Sequence, residues 1–124
     1  MKVLVCGDRN WTNRQLIERE LRRFDPKTTI IIHGAARGAD TIAGEIATSL
    51  GFQVMPFPAD WDRLGRAAGP IRNREMLKQQ PDRVLAFHNN LDKSKGTADM
   101  VSIARRALVP VEVFQETGAN PSGA

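Results

Sequence analysis

One cysteine, two histidines and no tyrosine occur among the 124 residues, and only 6% of the residues are aromatic. A single cysteine excludes an internal disulfide, and Cys6, within an apolar run, is expected to be a buried thiol in a cytoplasmic protein. No third ligand is evident beside His33 and His88, so we expect no metal site. The scarcity of aromatic side chains argues against an extended stacking platform for nucleic acid.

Long apolar runs are also missing. No run approaches the length of a membrane span, and Met1–Gly7 leads directly into Asp8 and Arg9, so we expect neither a membrane segment nor a signal peptide. The 18 basic and 14 acidic residues are well mixed and leave a net charge of +4. This balance suits an acidic partner, but it does not distinguish a nucleotide from a nucleic acid.

The length and the hydrophobic content of 41% suffice for one compact domain with its own core. We expect this domain to occupy residues 1–115. The remaining residues, 116–124, are rich in Gly, Pro and Ser and are expected to form a disordered C-terminal tail.

Apolar, β-branched runs alternate with segments of helical period. Five runs are predicted as strands: Lys2–Cys6, Thr28–Ile32, Gln53–Phe57, Arg83–Phe87 and Val111–Phe114. Four segments are predicted as helices: Thr12 or Asn13 to Phe24, Asp40–Leu50, Pro70 to Lys78 or Gln80, and Thr97–Ala107. Near-continuous apolar strands are typical of sheets covered on both faces. The expected fold is therefore α/β, a Rossmann-like, doubly wound, mainly parallel five-stranded sheet with helices on both faces.

Ligands of such sheets bind beyond the carboxyl ends of the strands. Four polar segments follow predicted strands: Gly7–Trp11, His33–Asp40, Pro58–Arg66 and His88–Thr97. The connection from Pro58 to Gly69 is longer than a minimal turn, and we expect it to be a mobile flap. His33 and His88 end two apolar strands, and we expect them to be neighbours in the sheet.

The segment His33–Asp40 has the pattern of an anion-binding loop. Gly34 and Gly38 allow backbone N–H groups to approach a ligand, the helix beginning near Asp40 directs its positive end to the same point, and Arg37 adds a charged donor. The spacing matches neither a Walker A motif nor G-x-G-x-x-G. The alternative is a tight strand-to-helix turn whose glycines serve packing.

A second candidate phosphate site is Lys95-Gly96-Thr97, which opens the last predicted helix. Backbone amides after Gly96, the Thr97 hydroxyl and the Lys95 ammonium would hold the same anion as the first loop, provided that the two strand ends are adjacent. The alternative is that Thr97 only caps the helix and Lys95 is a solvated surface charge.

Four stretches together resemble the SLOG superfamily, and fit its YpsA-related branch. They are Val3–Arg9, His33–Asp40, Ala68–Met76 and Lys95–Thr97. The superfamily is Rossmann-like and includes the Lonely Guy proteins and the DNA-processing protein DprA. The resemblance implies a pocket for a nucleotide or nucleotide-derived molecule, formed by the Gly-rich loop and the Gly-Thr helix start.

One departure from the enzymatic relatives bears on activity. Lonely Guy proteins carry a catalytic glutamate in Gly-Thr-x-x-Glu, and Met100 occupies that position here; a thioether neither accepts a proton nor stabilises an oxocarbenium ion. Glu75 and Asp99 are the remaining carboxylate candidates. The family arginine corresponds to Arg72 or Arg74, which point about 200° apart on a helix, and we favour Arg72.

Further residues are assigned to the ligand with an alternative for each. Asp8 and Asp60 are expected to contact sugar hydroxyls, or else to cap helices or form turns. Trp61 is expected to stack on a base or to cover the core edge, whereas Trp11 is expected to pack under the first helix. The complete ligand-binding set is Gly7, Asp8, Arg9, Gly34, Ala35, Ala36, Arg37, Gly38, Asp40, Asp60, Trp61, Arg72, Asn73, Lys95, Gly96 and Thr97.

The leading hypothesis is a cytoplasmic binding module or sensor for a nucleotide-type ligand such as ADP-ribose, NAD or a nucleoside phosphate, with no further cofactor assigned. The first alternative is a phosphoribohydrolase acting on nucleoside monophosphates. The second is binding of single-stranded DNA in the manner of DprA. A homo-oligomer is compatible with the resemblance, because Lonely Guy relatives assemble as dimers.

Overall fold

The computed structural model describes residues 1–116 and contains one parallel sheet of five strands. The strands are β1 (Lys2–Gly7), β2 (Ile30–His33), β3 (Gln53–Pro56), β4 (Arg83–Phe87) and β5 (Val111–Phe114). Their order across the sheet is β3-β2-β1-β4-β5, and every neighbouring pair is parallel. The predicted α/β, doubly wound architecture is confirmed.

Five α-helices connect the strands: α1 (Arg14–Leu21), α2 (Ala39–Ser49), α3 (Trp61–Leu64), α4 (Ala68–Lys78) and α5 (Gly96–Arg106). Helices α1 and α2 pack together, as do α4 and α5. Because successive side chains of a strand point to opposite faces, Val3 and Val5 of β1 join the core under α1 and α2. Leu4 and Cys6 join the second core, with residues of α4 and α5.

Helix α1 is shorter than predicted. The Asn13 side chain accepts the Leu16 N–H at 3.1 Å and caps its start. Beyond Leu21, the N–H groups of Arg23 and Phe24 donate to carbonyls three residues earlier, so the last turn tightens before Phe24.

The connection from Pro58 to Gly69 is helical over much of its length, which the sequence analysis missed. It contains α3 and a 3₁₀ turn at Gly65–Ala67 before α4 begins. Asp60 starts α3, since its carboxylate accepts the Arg63 N–H at 3.2 Å. A second 3₁₀ turn, Leu91–Lys93, precedes α5.

The expectation that His33 and His88 are neighbours is wrong, because β1 lies between β2 and β4. Of the predicted tail, only Glu116 is described, and its N–H donates to Asn89 Oδ1 at 2.8 Å. The tail's other residues, 117–124, lie outside the described part of the chain. Within residues 1–116, no helix has both the length and the apolar character needed to cross a membrane.

Candidate functional site

The chain changes direction across the sheet between β1 and β4. From β1 it proceeds outward to β2 and β3, and then returns past β1 to β4 and β5. The connections that leave β1 and β4 therefore diverge and open a crevice at their carboxyl ends, which is where ligands of doubly wound sheets bind. A cleft of about 670 Å³ lies at this position.

Three parts of the predicted ligand-binding set meet in this cleft. The end of β1 contributes Gly7, and the turn after it contributes Asp8 and Arg9. Helix α4 contributes Arg72 and Asn73. The start of α5 contributes Lys95, Gly96 and Thr97, and the remaining predicted lining residues are Ala36, Asp40 and Trp61.

The other predicted residues lie elsewhere. Ala35 and Arg37 line an adjoining depression of about 390 Å³. Gly34, Gly38 and Asp60 line neither space.

Several lining residues were not predicted. The two unpredicted basic ones are Arg66 and Lys93. Both fall within segments that follow predicted strands, so their position and charge were available in the sequence. Ser94 and His88 also line the cleft.

In the loop between β2 and α2, the carboxylate of Asp40 binds backbone N–H groups that the sequence suggested for a ligand anion. Asp40 is buried, and its Oδ2 accepts the Gly34 N–H at 2.8 Å and the Ala36 N–H at 3.5 Å. The Ala35 N–H donates to Nδ1 of His33 at 2.9 Å. Three of the backbone donors that the sequence suggested for a ligand phosphate, the N–H groups of Gly34, Ala35 and Ala36, thus have partners inside the loop.

The same loop rests against the turn after β1. The Ala39 N–H donates to the Asp8 carbonyl at 3.1 Å. Gly38 has φ +73°, and a side chain there would overlap the backbone of Asp8 and Arg9. Glycine is therefore required by both backbone conformation and space, and the contact sets the loop beside the β1 turn.

Arg72, on α4, is half-buried and reaches the loop between β2 and α2. Its guanidinium donates to the Gly34 carbonyl, and its Nε donates to Asn73 Oδ1 at 2.9 Å. Burial raises the pKa of Asp40 to about 6, although the nearby Arg72 and the Gly34 N–H lower it. Burial likewise lowers the pKa of Arg72, while the Asp40 carboxylate raises it. Arg74, two residues on, is exposed and does not line the cleft.

At the start of α5, the side chain of Ser94 accepts hydrogen bonds from backbone N–H groups of the first turn. Ser94 Oγ accepts the Thr97 N–H at 3.0 Å and the Ala98 N–H at 3.3 Å. The amides after Gly96, which the sequence suggested for a ligand phosphate, therefore already have a hydrogen-bond partner in the protein. Lys95 lines the cleft and is exposed, whereas Thr97 of the same Lys95-Gly96-Thr97 motif is buried.

Of the two carboxylate candidates for catalysis, Asp99 lies in the cleft and Glu75 does not. Asp99 lines the cleft, where its Oδ2 accepts from Asn73 Nδ2 at 2.9 Å and lies 3.7 Å from an Arg74 nitrogen. Glu75 is exposed and lies off the cleft, and Met100 is buried at its wall.

Within residues 1–116, no group of three or more His, Cys, Asp or Glu residues is placed to hold a metal ion.

The two tryptophans differ in environment. Trp11 is buried with its ring edge against Phe87, and its Nε1 donates to the Asn13 carbonyl at 2.9 Å. Trp61 is 47% exposed at the cleft, and the Arg9 guanidinium lies 5.6 Å from its ring centroid. Asp60, next to Trp61, forms an ion pair in which its Oδ2 lies 2.9 Å from Nε of Arg63.

Strand order, crevice and lining define a doubly wound, Rossmann-like domain with a basic cleft at its topological switch point. The family model for YspA, cpYpsA-related SLOG proteins matches residues 1–64, and the chain belongs to this family. The chain is also similar to the Gene 61 protein of Mycobacterium phage D29. The two are 39% identical over 122 residues, covering 91% of this chain and 95% of the phage protein. No solved structure matches the chain.

Proposed function

We propose that the cleft binds a phosphate-bearing nucleotide or nucleotide-derived small molecule, and that the protein acts as a binding module or sensor. The observation that carries the proposal is the half-buried Arg72 at the β1/β4 crevice, with the cations of three other segments around it. A ligand such as ADP-ribose, NAD or a nucleoside phosphate has the charge and the size for this cleft, since ligand pockets typically enclose about 300 to 1,000 Å³.

Side-chain cations supply the recognition of phosphate in this proposal. Five cations line the cleft, against three carboxylates, and the lining cations are Arg9, Arg66, Arg72, Lys93 and Lys95. Of the carboxylates, Asp40 is already bonded to backbone amides, which reduces its repulsion of an incoming anion. Arginine suits phosphate because its fork donates two parallel hydrogen bonds.

An exposed aromatic ring at the same cleft supports a base-bearing ligand. Trp61 is the only exposed aromatic side chain among the described residues. Stacking of a base on such a ring contributes about 1 to 3 kcal/mol and tolerates any base. In this proposal Asp8, which follows β1 and lines the same cleft, accepts hydrogen bonds from sugar hydroxyls, although its Oδ1 also accepts the Asn10 N–H at 2.9 Å.

The test is calorimetric titration of the purified protein with AMP, ADP and ADP-ribose. Lys95→Ala and Arg72→Lys are each expected to weaken binding about 10- to 100-fold, because a hydrogen bond to a charged group contributes roughly 1.5 to 3 kcal/mol. Lys78→Ala, which removes an exposed lysine of α4 away from the cleft, is the matched control. Absence of binding by the wild-type protein, or equal binding by all variants, would refute the proposal.

A second candidate function is N-glycosidic hydrolysis of a nucleoside monophosphate, favoured by the position of Asp99. Its carboxylate lies in the cleft and is oriented by Asn73. In the reaction, water adds to the ribose anomeric carbon as the bond to the base breaks, and the base leaves with a proton; a carboxylate stabilises the developing positive charge. Release of adenine from AMP that is lost in Asp99→Asn and kept in Asp92→Asn would support it. Loss of adenine release in Glu75→Gln would contradict the assignment of the catalytic carboxylate to Asp99.

A further inference from the structure

Two spaces, and not one, meet at the carboxyl edge of the sheet. The main cleft is about 670 Å³ and the adjoining depression about 390 Å³. They share Arg9, Ala36 and Trp61 as lining residues, so they adjoin at these three. The depression is completed by Ala35 and Arg37, which the main cleft does not reach.

Arg9 is the cation at the junction. Its guanidinium stacks over the Trp61 ring at 5.6 Å from the centroid, which orients it without neutralising its charge. No carboxylate pairs with Arg9 within the described residues. A negatively charged group of a ligand that spans both spaces is therefore most favourable beside Arg9.

Arg37 is the cation of the outer space. It is exposed, and in residues 1–116 it makes neither an ion pair nor a side-chain hydrogen bond. The backbone that carries it is held in a constrained shape, with φ +57° at Ala35 and +73° at Gly38. Left-handed backbone at a non-glycine residue costs about 1 to 3 kcal/mol and is commonly retained at ligand sites.

We infer that the depression lined by Ala35, Ala36 and Arg37 is a second subsite, which takes the distal half of a two-part nucleotide. The ligand class is a nucleoside joined through a pyrophosphate to a second sugar-bearing group. Its pyrophosphate lies against Arg9, its base half occupies the main cleft beside Trp61, and Arg37 donates to oxygen atoms of the distal half. The inference rests on the proposed function and narrows its ligand class.

The experiment is a titration series of AMP, ADP and ADP-ribose, which add the bridge and the distal half in turn. The wild-type protein is expected to gain about tenfold in affinity at each addition, the size of one charged hydrogen bond. Arg9→Ala removes the gain from AMP to ADP. Arg37→Ala removes the gain from ADP to ADP-ribose and changes AMP and ADP binding less than about twofold. Arg105→Ala, an exposed arginine at the far end of α5, is the control.

The outcomes separate the inference from the function on which it rests. Equal wild-type affinities for ADP and ADP-ribose, or an unchanged ADP-ribose affinity in Arg37→Ala, would overturn the second subsite while nucleotide binding stands. A uniform loss for all three ligands in Arg37→Ala would also overturn it, because the residue would then act on the shared half. Failure of the wild-type protein to bind any of the three would overturn both.

Discussion

At the scale of single residues, Asp40 shows how one side chain changes the meaning of a motif. A carboxylate placed one position into a helix is expected to complement the helix dipole. Here it also turns back to the amides of Gly34 and Ala36, so the glycine-rich loop holds an internal anion. The proposed function therefore assigns phosphate recognition to the arginine and lysine side chains of the cleft.

Burial of Asp40 makes stability depend on pH. Burial raises its pKa from the ordinary 3.8 to about 6, so the unfolded chain releases this proton first as the pH rises. The free energy of unfolding contributed by Asp40 is therefore fully present below about pH 4, falls between pH 4 and 6, and is constant above that range. The upper bound of the loss is about 3 kcal/mol.

Urea denaturation of the wild-type protein and Asp40→Asn from pH 4 to pH 7 measures this effect. The stability of the wild-type protein relative to the variant should decrease as the pH rises. Asp62→Asn removes an exposed carboxylate of α3 and serves as the control, whose difference from wild type should lack this decrease. A difference between wild type and Asp40→Asn that is independent of pH would contradict the buried ionisation.

At the scale of elements, the start of α5 is stabilised by the residue before its first turn. Ser94 Oγ accepts two backbone N–H groups that would otherwise be unpaired, at the wall of the cleft. Thr97, whose hydroxyl the sequence suggested for a ligand phosphate or, alternatively, as the cap, is buried. The first turn of α5 is therefore formed before any ligand arrives.

Ser94→Ala should lower the free energy of unfolding by about 1 kcal/mol, the usual cost of losing such a cap. Ser102→Ala is the matched control, because its hydroxyl lies within α5 and, among residues 1–116, its recorded hydrogen bond is the one it accepts from the exposed Arg106 at 3.2 Å. Chemical denaturation of both variants measures the difference. Equal stabilities of the two variants would show that Ser94 does not cap the helix.

At the scale of the whole molecule, a net charge of +4 is compatible with both a nucleotide and single-stranded DNA. The two differ in salt dependence. A DNA site with about six phosphate contacts gives a slope of log affinity against log salt near −4, since condensed counterions are released from the strand. A single nucleotide has no such counterion atmosphere.

We expect the tightest nucleotide to bind with a slope much shallower than −4, and a dT oligonucleotide to bind weakly at physiological salt. Titrations between about 50 and 200 mM salt decide between the two. Five of the protein's 18 basic residues line this one cleft, where a single nucleotide would meet them together. Tight oligonucleotide binding with the steep slope would favour the DNA alternative.

Strand and helix positions followed closely from local pattern. Val111–Phe114 and Arg83–Phe87 were predicted at their observed bounds, because short apolar runs between Pro or polar residues identify buried strands. Most observed helix ends differ from the predicted ends by one or two residues, and α1 ends at Leu21, about one turn before the predicted Phe24. The short α3 escaped prediction because four residues carry no helical period.

Residue types and their order along the chain determined the α/β class, the parallel sheet and the segments at its carboxyl edge, since these depend on local hydrophobic period and chain connectivity. Tertiary structure alone decided that β1 separates His33 from His88, that Asp40 and Ser94 occupy amides proposed for a ligand, and that Arg37 faces an outer depression. Those outcomes depend on which strands pair and where each side chain turns. Both are set by packing between segments distant in sequence, which no local pattern encodes.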